Sequence, residues 1–200
     1  MLNKFRDFYL RILLNKAENA TPQIYERSEN PFNPNMWNRK NKFLKKLGIV
    51  LGENVAIDSG FEWVIARNIR IMDYASIGKN FKCYSYNNVV IGKFCMFAGE
   101  VQISNGTHEV DSFIPSSGLI EVGNGVWIGH GVRIVGKNIS IGENSIIGAG
   151  ALVLSDVEAN SIVVGVPAKK IGVRAPSERV WHLGGVYYSP VTFEVLKETE

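Results

Sequence analysis

An aliphatic residue returns every six positions through the middle of this 200-residue chain. With the aliphatic that usually precedes Gly as the marked position, the register reads Leu51, Ile57, Ile65, Ile71, Ile77, Cys83, Ile91, Phe97, Ile103, Val122, Ile128, Ile134, Ile141, Ile147 and Val153. Ten of its fourteen steps are six residues. A unit of six is too short for a helix pair and too regular for ordinary hairpins, so each unit reads as one short strand and one corner. Two residues before the mark stands a second small or apolar residue: Ala75, Val89, Cys95, Val101, Val126, Val132, Ile139, Ser145 and Ala151. That is the strand period, which turns both side chains to one face. Gly, Asn or Asp after the aliphatic, as in Gly78-Lys79-Asn80 and Gly142-Glu143-Asn144, supplies residues that tolerate positive φ at a tight corner. Three units close one triangular turn of a parallel β-helix, and fifteen marks make about five turns stacked into inner aliphatic ladders. An antiparallel sandwich is disfavoured, because its strands recur at longer spacing and carry no beat of six.

The organisation follows from where the beat starts, breaks and stops. Residues 1–48 lie outside it and hold an amphipathic helix over 1–16, a turn-rich connector (Asn30-Pro31-Phe32-Asn33-Pro34-Asn35) and a short basic helix. Residues 49–172 form the all-β solenoid domain, with corner insertions before Ile65 and Ile91 and one excursion over 104–121. Residues 173–200 form a tail whose Trp181, Tyr187, Tyr188 and Phe193 are aromatic enough to pack back onto something, while its charged end reads as frayed.

In the first helix Phe5, Phe8, Tyr9, Ile12 and Leu13 fall at helical spacing among Lys4, Arg6, Arg11 and Lys16. Arg11 interrupts any signal-like apolar core and no apolar run is long enough to span a bilayer, so a cytoplasmic location is expected. Packing of the apolar stripe against the solenoid or a neighbouring subunit is the commoner use of such a helix, and peripheral membrane contact is the alternative. A formal net charge of +3 gives no reason to expect nucleic acid. Cys83 and Cys95 occupy inward positions and read as core thiols, neither disulfide nor metal pair.

A prism whose inward positions are apolar holds no internal cavity, so chemistry is expected outside it, on loops and between subunits. The excursion carries one of the chain's three histidines. Loops of this length in compact domains are usually functional or disordered. His108 fits a general base, and Asp111 or Glu109 is a candidate to orient its ring.

Three further stretches carry a resemblance: Val126-Trp127-Ile128-Gly129, then Ile141 through Gly148-Ala149-Gly150 to Val153, then Ser161 through Gly165-Val166-Pro167-Ala168-Lys169. In this order, behind the His loop, they resemble the hexapeptide-repeat acetyltransferases. The likeness is closest to the sugar O-acetyltransferase group that contains the galactoside, maltose and nodulation-factor enzymes, and to polysaccharide-biosynthesis members, over roughly residues 50–172. The resemblance implies a left-handed parallel β-helix, against the usual right-handed crossover. It also implies a homotrimer with acetyl-CoA lying between adjacent helices, direct transfer without an acyl-enzyme, His108 as base, and backbone amides at the oxyanion. It carries CoA contacts onto Trp127, His130, Ala149, Leu154, Ser155 and Lys169. Ser155 stands where many relatives have Lys and Gly172 where some have Arg, so Lys170 or Arg174 is expected to supply that charge.

Ile128-Gly129-His130-Gly131 also resembles the γ-carbonic anhydrases, which bind zinc with three histidines between subunits. Those enzymes place another His five residues on, where this chain has Val135; with His182 far away in the tail, no metal is expected. A purely scaffolding trimer leaves the His loop unexplained. The expected acceptor is a sugar or glycan hydroxyl, with the amine of an amino-sugar nucleotide as the alternative. Asn87, Asn88 and Asn105 lie near the loop, but Asn at a solenoid corner is ordinary.

Overall fold

The structure, a computed structural model, describes residues 8–12, 14–15, 35–182 and 186–196. The connector before Asn35, the charged end after Leu196 and most of the first helix lie outside them.

Three parallel sheets wrap one apolar core. The first face stacks Val50–Leu51, Ile69–Ile71, Val89–Ile91, Ile120–Val122 and Ile139–Ile141. The second stacks Ala56–Ile57, Ser76–Ile77, Met96–Phe97, Trp127–Ile128, Ile146–Ile147 and Ser161–Val164, and Lys169–Val173 closes it antiparallel. The third stacks Glu62–Trp63, Lys82–Tyr84, Gln102–Ser104, Arg133–Val135 and Leu152–Val153. These make five complete coils and the start of a sixth, in which Val157 bridges to Ile141.

The inner ladders are as the beat implies: Ile57, Ile71, Ile91, Ile103, Ile128 and Ile134 are fully buried, and so are Ala75, Cys95, Val101, Val126 and Val132 of the second ladder. Each large member contributes roughly 2 kcal/mol relative to exposure. Burial pushes the Cys83 and Cys95 thiols up to about 12, in keeping with core roles.

One detail of the register differs from expectation. Trp63, not Ile65, pairs with Cys83 in the third-face ladder, so the extra residues of that coil follow the mark instead of preceding it. The corner triplets take positive φ as expected, on their third residue, and the Gly directly after the aliphatic has a second use. A Cβ on Gly129 would stand 2.6 Å from the backbone N of Ala149 in the next coil, and one on Gly78 would stand 2.6 Å from the carbonyl carbon of Ala98. These glycines let stacked corners approach, and positive φ falls two residues later, at Asn80, Gly131 and Asn144.

The three edges of the prism are unequal. From the third face to the first the chain steps eight positions from Trp63 to Ile71, eight from Cys83 to Ile91, and seven from Ile134 to Ile141. This third edge carries the excursion. Buried Asn105 holds it, donating to the carbonyls of Asn87 and Asn88 at 2.9 and 3.1 Å, and its Oδ1 accepts from Asn87 N at 3.1 Å. Asn105 is thereby a corner clamp and not an acceptor contact.

Helix α1, Asn35–Lys46, plugs the first coil with Trp37 and Leu44, and Lys40 Nζ donates to the Asp58 carbonyl at 2.6 Å. Among residues 8–15, Leu10 and Leu14 are buried while Phe8, Tyr9 and Ile12 are 64, 59 and 38% exposed. The described members of the stripe expected to pack, Phe8, Tyr9 and Ile12, therefore face outward while Leu10 and Leu14 meet the core, and Phe5 and Leu13 lie outside the described residues.

The tail does fold back. Val180–His182, Val186–Tyr188 and Val195–Leu196 form an antiparallel sheet on the first edge. Tyr188 stacks on Phe94 at 4.4 Å, continuing the Tyr74–Phe94 stack at 5.0 Å, and His182 meets Phe94 edge-on. Trp181 and Tyr187 remain on its outer side.

Candidate active site

The excursion is a β-hairpin, Gly106–His108 paired with Pro115–Ser117. Its turn closes through Phe113 N donating to the Glu109 carbonyl at 2.8 Å and Glu109 N donating to the Ile114 carbonyl at 2.9 Å. Phe113 sits at φ 54°, costly for an aromatic residue, and its side chain is exposed. Its carbonyl oxygen lies 2.7 Å from His108 Nδ1. A carbonyl can only accept, so Nδ1 carries the proton and a neutral ring presents its lone pair at Nε2.

Backbone therefore does the orienting that a carboxylate was expected to do. Among the described residues no hydrogen bond joins Asp111 to His108; Asp111 sits exposed in the turn that Glu109 and Phe113 close. Glu109 is engaged elsewhere, accepting from Lys137 Nζ at 2.7 Å, and Lys137 also donates to Ser116 Oγ at 3.3 Å. The Lys137 hydrogen bond, then Ser116, holds the Glu109 carboxyl below its usual range. Lys137 thus fastens the hairpin to the third edge of the next coil.

His108 opens on a cleft of about 520 Å³ lined by Tyr86, Gly106, Thr107, Pro115, Ser116 and Ser117. Tyr86 was not foreseen from sequence. Its ring packs against Gly106, where any Cβ would collide with it, so the Gly in Asn105-Gly106-Thr107 was the available signal. An aromatic wall beside hydroxyls and an imidazole suits a sugar, whose C–H face stacks on a ring while its hydroxyls find polar partners.

The remaining candidates do not converge on this cleft within one chain. His130 and Ala149 are exposed on the second edge, between the second and third faces; Gly150 N donates to the His130 carbonyl at 2.8 Å, and His130 packs over Gly99. Leu154 and Ser155 are exposed on the third edge, the hairpin's own edge. Trp127 projects outward from the middle of the second face, flanked in register by Met96 and Ile146. Lys169 and Lys170 lie on the closing strand. Of the cations expected to meet phosphate, Lys170 pairs with Glu158 at 2.6 Å. Arg174 donates through Nη1 to the carbonyls of Gly125 and Asn144 at 3.0 and 3.1 Å, and Lys169 is exposed.

No protein-family profile matches the chain. A Saccharomyces cerevisiae protein provisionally named an acetyltransferase is 31% identical over 147 residues, 71% of this chain and 74% of that protein. Galactoside O-acetyltransferase of Escherichia coli is 29% identical over 147 residues, covering 71 and 72%. A shorter match of 42% identity covers 88 residues and 42% of a Schizosaccharomyces pombe protein with a similar provisional name. A solved structure of a galactoside acetyltransferase with coenzyme A superimposes with a TM-score of 0.61 at 25% identity, over 82% of each chain.

Proposed function

The chain belongs to the hexapeptide-repeat acetyltransferases, left-handed parallel β-helix enzymes that use acetyl-CoA; from that premise we propose that it acetylates a hydroxyl of a sugar or cell-surface polysaccharide precursor, with His108 as general base. The observation that carries this reading is the 2.7 Å contact of His108 Nδ1 with the Phe113 carbonyl, which leaves Nε2 as the ring's acceptor on a histidine that lines a cleft with an aromatic wall. Nε2 takes the proton of the acceptor hydroxyl as its oxygen attacks the thioester carbonyl. The tetrahedral intermediate collapses, the carbon–sulfur bond breaks, and the imidazolium returns the proton to the departing CoA sulfur. Backbone amides of the neighbouring edge are the candidate oxyanion donors. Both cysteines are buried core thiols, which leaves no thiol at the cleft for an acyl-enzyme and favours direct transfer.

The donor is proposed to lie between two copies of the chain. His108, Leu154 and Ser155 occupy one edge of the prism, whereas His130 and Ala149 occupy another, and a neighbouring copy is what brings the two kinds of edge together. The outward column Met96, Trp127, Ile146 and Ile162 of the second face supports such assembly, because it is apolar where the first and third faces present Arg70, Glu121, Lys82 and Arg133. We take the assembly to be a homotrimer acting in the cytoplasm, with Trp127, His130, Ala149, Leu154, Ser155, Lys169 and Lys170 meeting CoA and Asp111 outside the base's hydrogen bonds.

The test is thiol release from acetyl-CoA across a panel of sugars, nucleotide sugars and capsule fragments. His108→Ala should lose about 100-fold or more in turnover, the usual worth of a positioned general base, with acetyl-CoA affinity retained. Undiminished turnover in that variant would remove His108 from the mechanism.

A further inference from the structure

We propose that the N-terminal helical segment and helix α1 form a docking surface for an anionic lipid bilayer. At 100° per residue, Leu10 and Leu14 lie near ~200° and ~240° around the helix axis, with Phe8, Ile12 and Tyr9 near ~0°, ~40° and ~100°, on the opposite side. The first pair is buried, and Leu14 belongs to the apolar cluster that Leu44 of α1 also joins, so this side fixes the segment to the body. The other side presents two aromatics and an isoleucine to water, with exposed Arg11 and Asn15 at its flank. A helix anchored by one arc that displays a second apolar arc has burial still to gain.

Charge selects the occupant. Residues 1–46 hold ten Lys or Arg against four Asp or Glu, whereas residues 47–200 hold twelve against fifteen. Helix α1 has no acidic residue and exposes Arg39, Lys42, Lys45 and Lys46. Two copies meeting through so basic an end would repel each other. A surface of anionic headgroups is attracted by it and also offers an acyl boundary for Phe8, Tyr9 and Ile12. This proposal is independent of His108 and of the acceptor.

The experiment is co-sedimentation of the full chain with vesicles of phosphatidylcholine alone or with about 30% phosphatidylglycerol, a composition with a negative surface potential. The expected result is pelleting with the anionic vesicles, little with the neutral ones, and release as salt rises to about 0.5 M, where screening is strong. Phe8→Asp with Ile12→Asp should lower the partition about tenfold or more, and Lys42→Glu with Lys46→Glu should remove its dependence on phosphatidylglycerol. Melting temperature and mass in solution should stay those of the parent, which distinguishes lost docking from lost folding. Failure to pellet, equal pelleting with both vesicle types, or undiminished pelleting of the Phe8/Ile12 variant overturns the proposal. So does a smaller assembly in that variant, since the arc would then be a contact between copies.

Discussion

If the catalytic base and the donor-binding edge meet only between copies, two inactive variants should rescue one another. The perturbations are His108→Ala, which removes the base from the third edge, and Ala149→Trp, which fills the second edge at an exposed position and spares the core. Each protein alone is inert, because every site contains a damaged half. In a cyclic assembly formed from equal amounts of both, a site is intact when its third edge comes from the Ala149→Trp chain and its second edge from the His108→Ala chain. Each condition holds with a chance of one half, so a quarter of the sites regain both halves, whatever the number of copies in the ring. Co-expressed and co-purified protein, assayed for thiol release with the best acceptor from the panel, should therefore turn over at about one quarter of the parent rate per chain, with parental KM values. Activity no higher than that of the separate variants refutes the shared site, since a site within one chain cannot be repaired by mixing. Full activity in Ala149→Trp alone removes the second edge from donor binding.

Burial holds His182 neutral, with its pKa lowered from 6.5 to about 4, so the unfolded chain takes the proton first. Stability is intact above pH 6.5, falls as pH drops towards 4 and levels off below, a total of ~3 kcal/mol that denaturation of the parent should show and that of His182→Phe should not. Gly129→Ala forces a Cβ to 2.6 Å from the backbone of Ala149 and should cost about 3 kcal/mol in thermal unfolding. Gly150→Ala, at φ +71° with nothing within 4 Å, should cost about 1 kcal/mol. Lys137→Ala breaks a pair with Glu109 that is nearly half exposed on both sides, so the melting temperature should hardly move. Turnover in that variant should still fall several-fold at unchanged acetyl-CoA affinity, as the hairpin carrying His108 loosens. Tyr86→Ala should raise the acceptor KM about tenfold through the lost stacking wall and leave the KM for acetyl-CoA alone.

The inner ladders were legible because a strand repeating at six residues leaves few ways to bury Ile and Val, and Ile57, Ile91 and Ile134 sit where the beat puts them. The slip at Ile65 arose because Trp63 does the same inward work with a residue type outside the aliphatic pattern. The orientation of His108 was not legible, since what holds the ring is a main-chain carbonyl, and every residue has one. Nor was the role of Tyr86, whose place depends on the bare backbone at Gly106 and not on any motif. In the described part of the N-terminal segment, residues 8–12 and 14–15 are helical, but Leu10 and Leu14 are buried where Phe8, Tyr9 and Ile12 were expected to pack, because periodicity locates an apolar arc without saying what it meets.

The edges of the prism also explain why the hairpin that carries His108 sits on this corner and no other. On the first and second edges the stacked coils nearly touch: Gly92 packs on Gly123, and Gly129 on Ala149, each with an ideal Cβ under 3 Å from the next backbone. An insertion there would part the coils and expose the ladders beneath. The third edge is longer in the first four coils, and buried Ser85 and Asn105 add side-chain hydrogen bonds there, Ser85 Oγ donating to the Ile65 carbonyl at 3.0 Å. Asn105 and Gly118 bracket the hairpin and join through Gly118 N donating to the Asn105 carbonyl at 3.2 Å, so the excursion leaves and re-enters at nearly one point. The coil closes as though nothing had been inserted, which leaves the hairpin free to be shaped by chemistry alone.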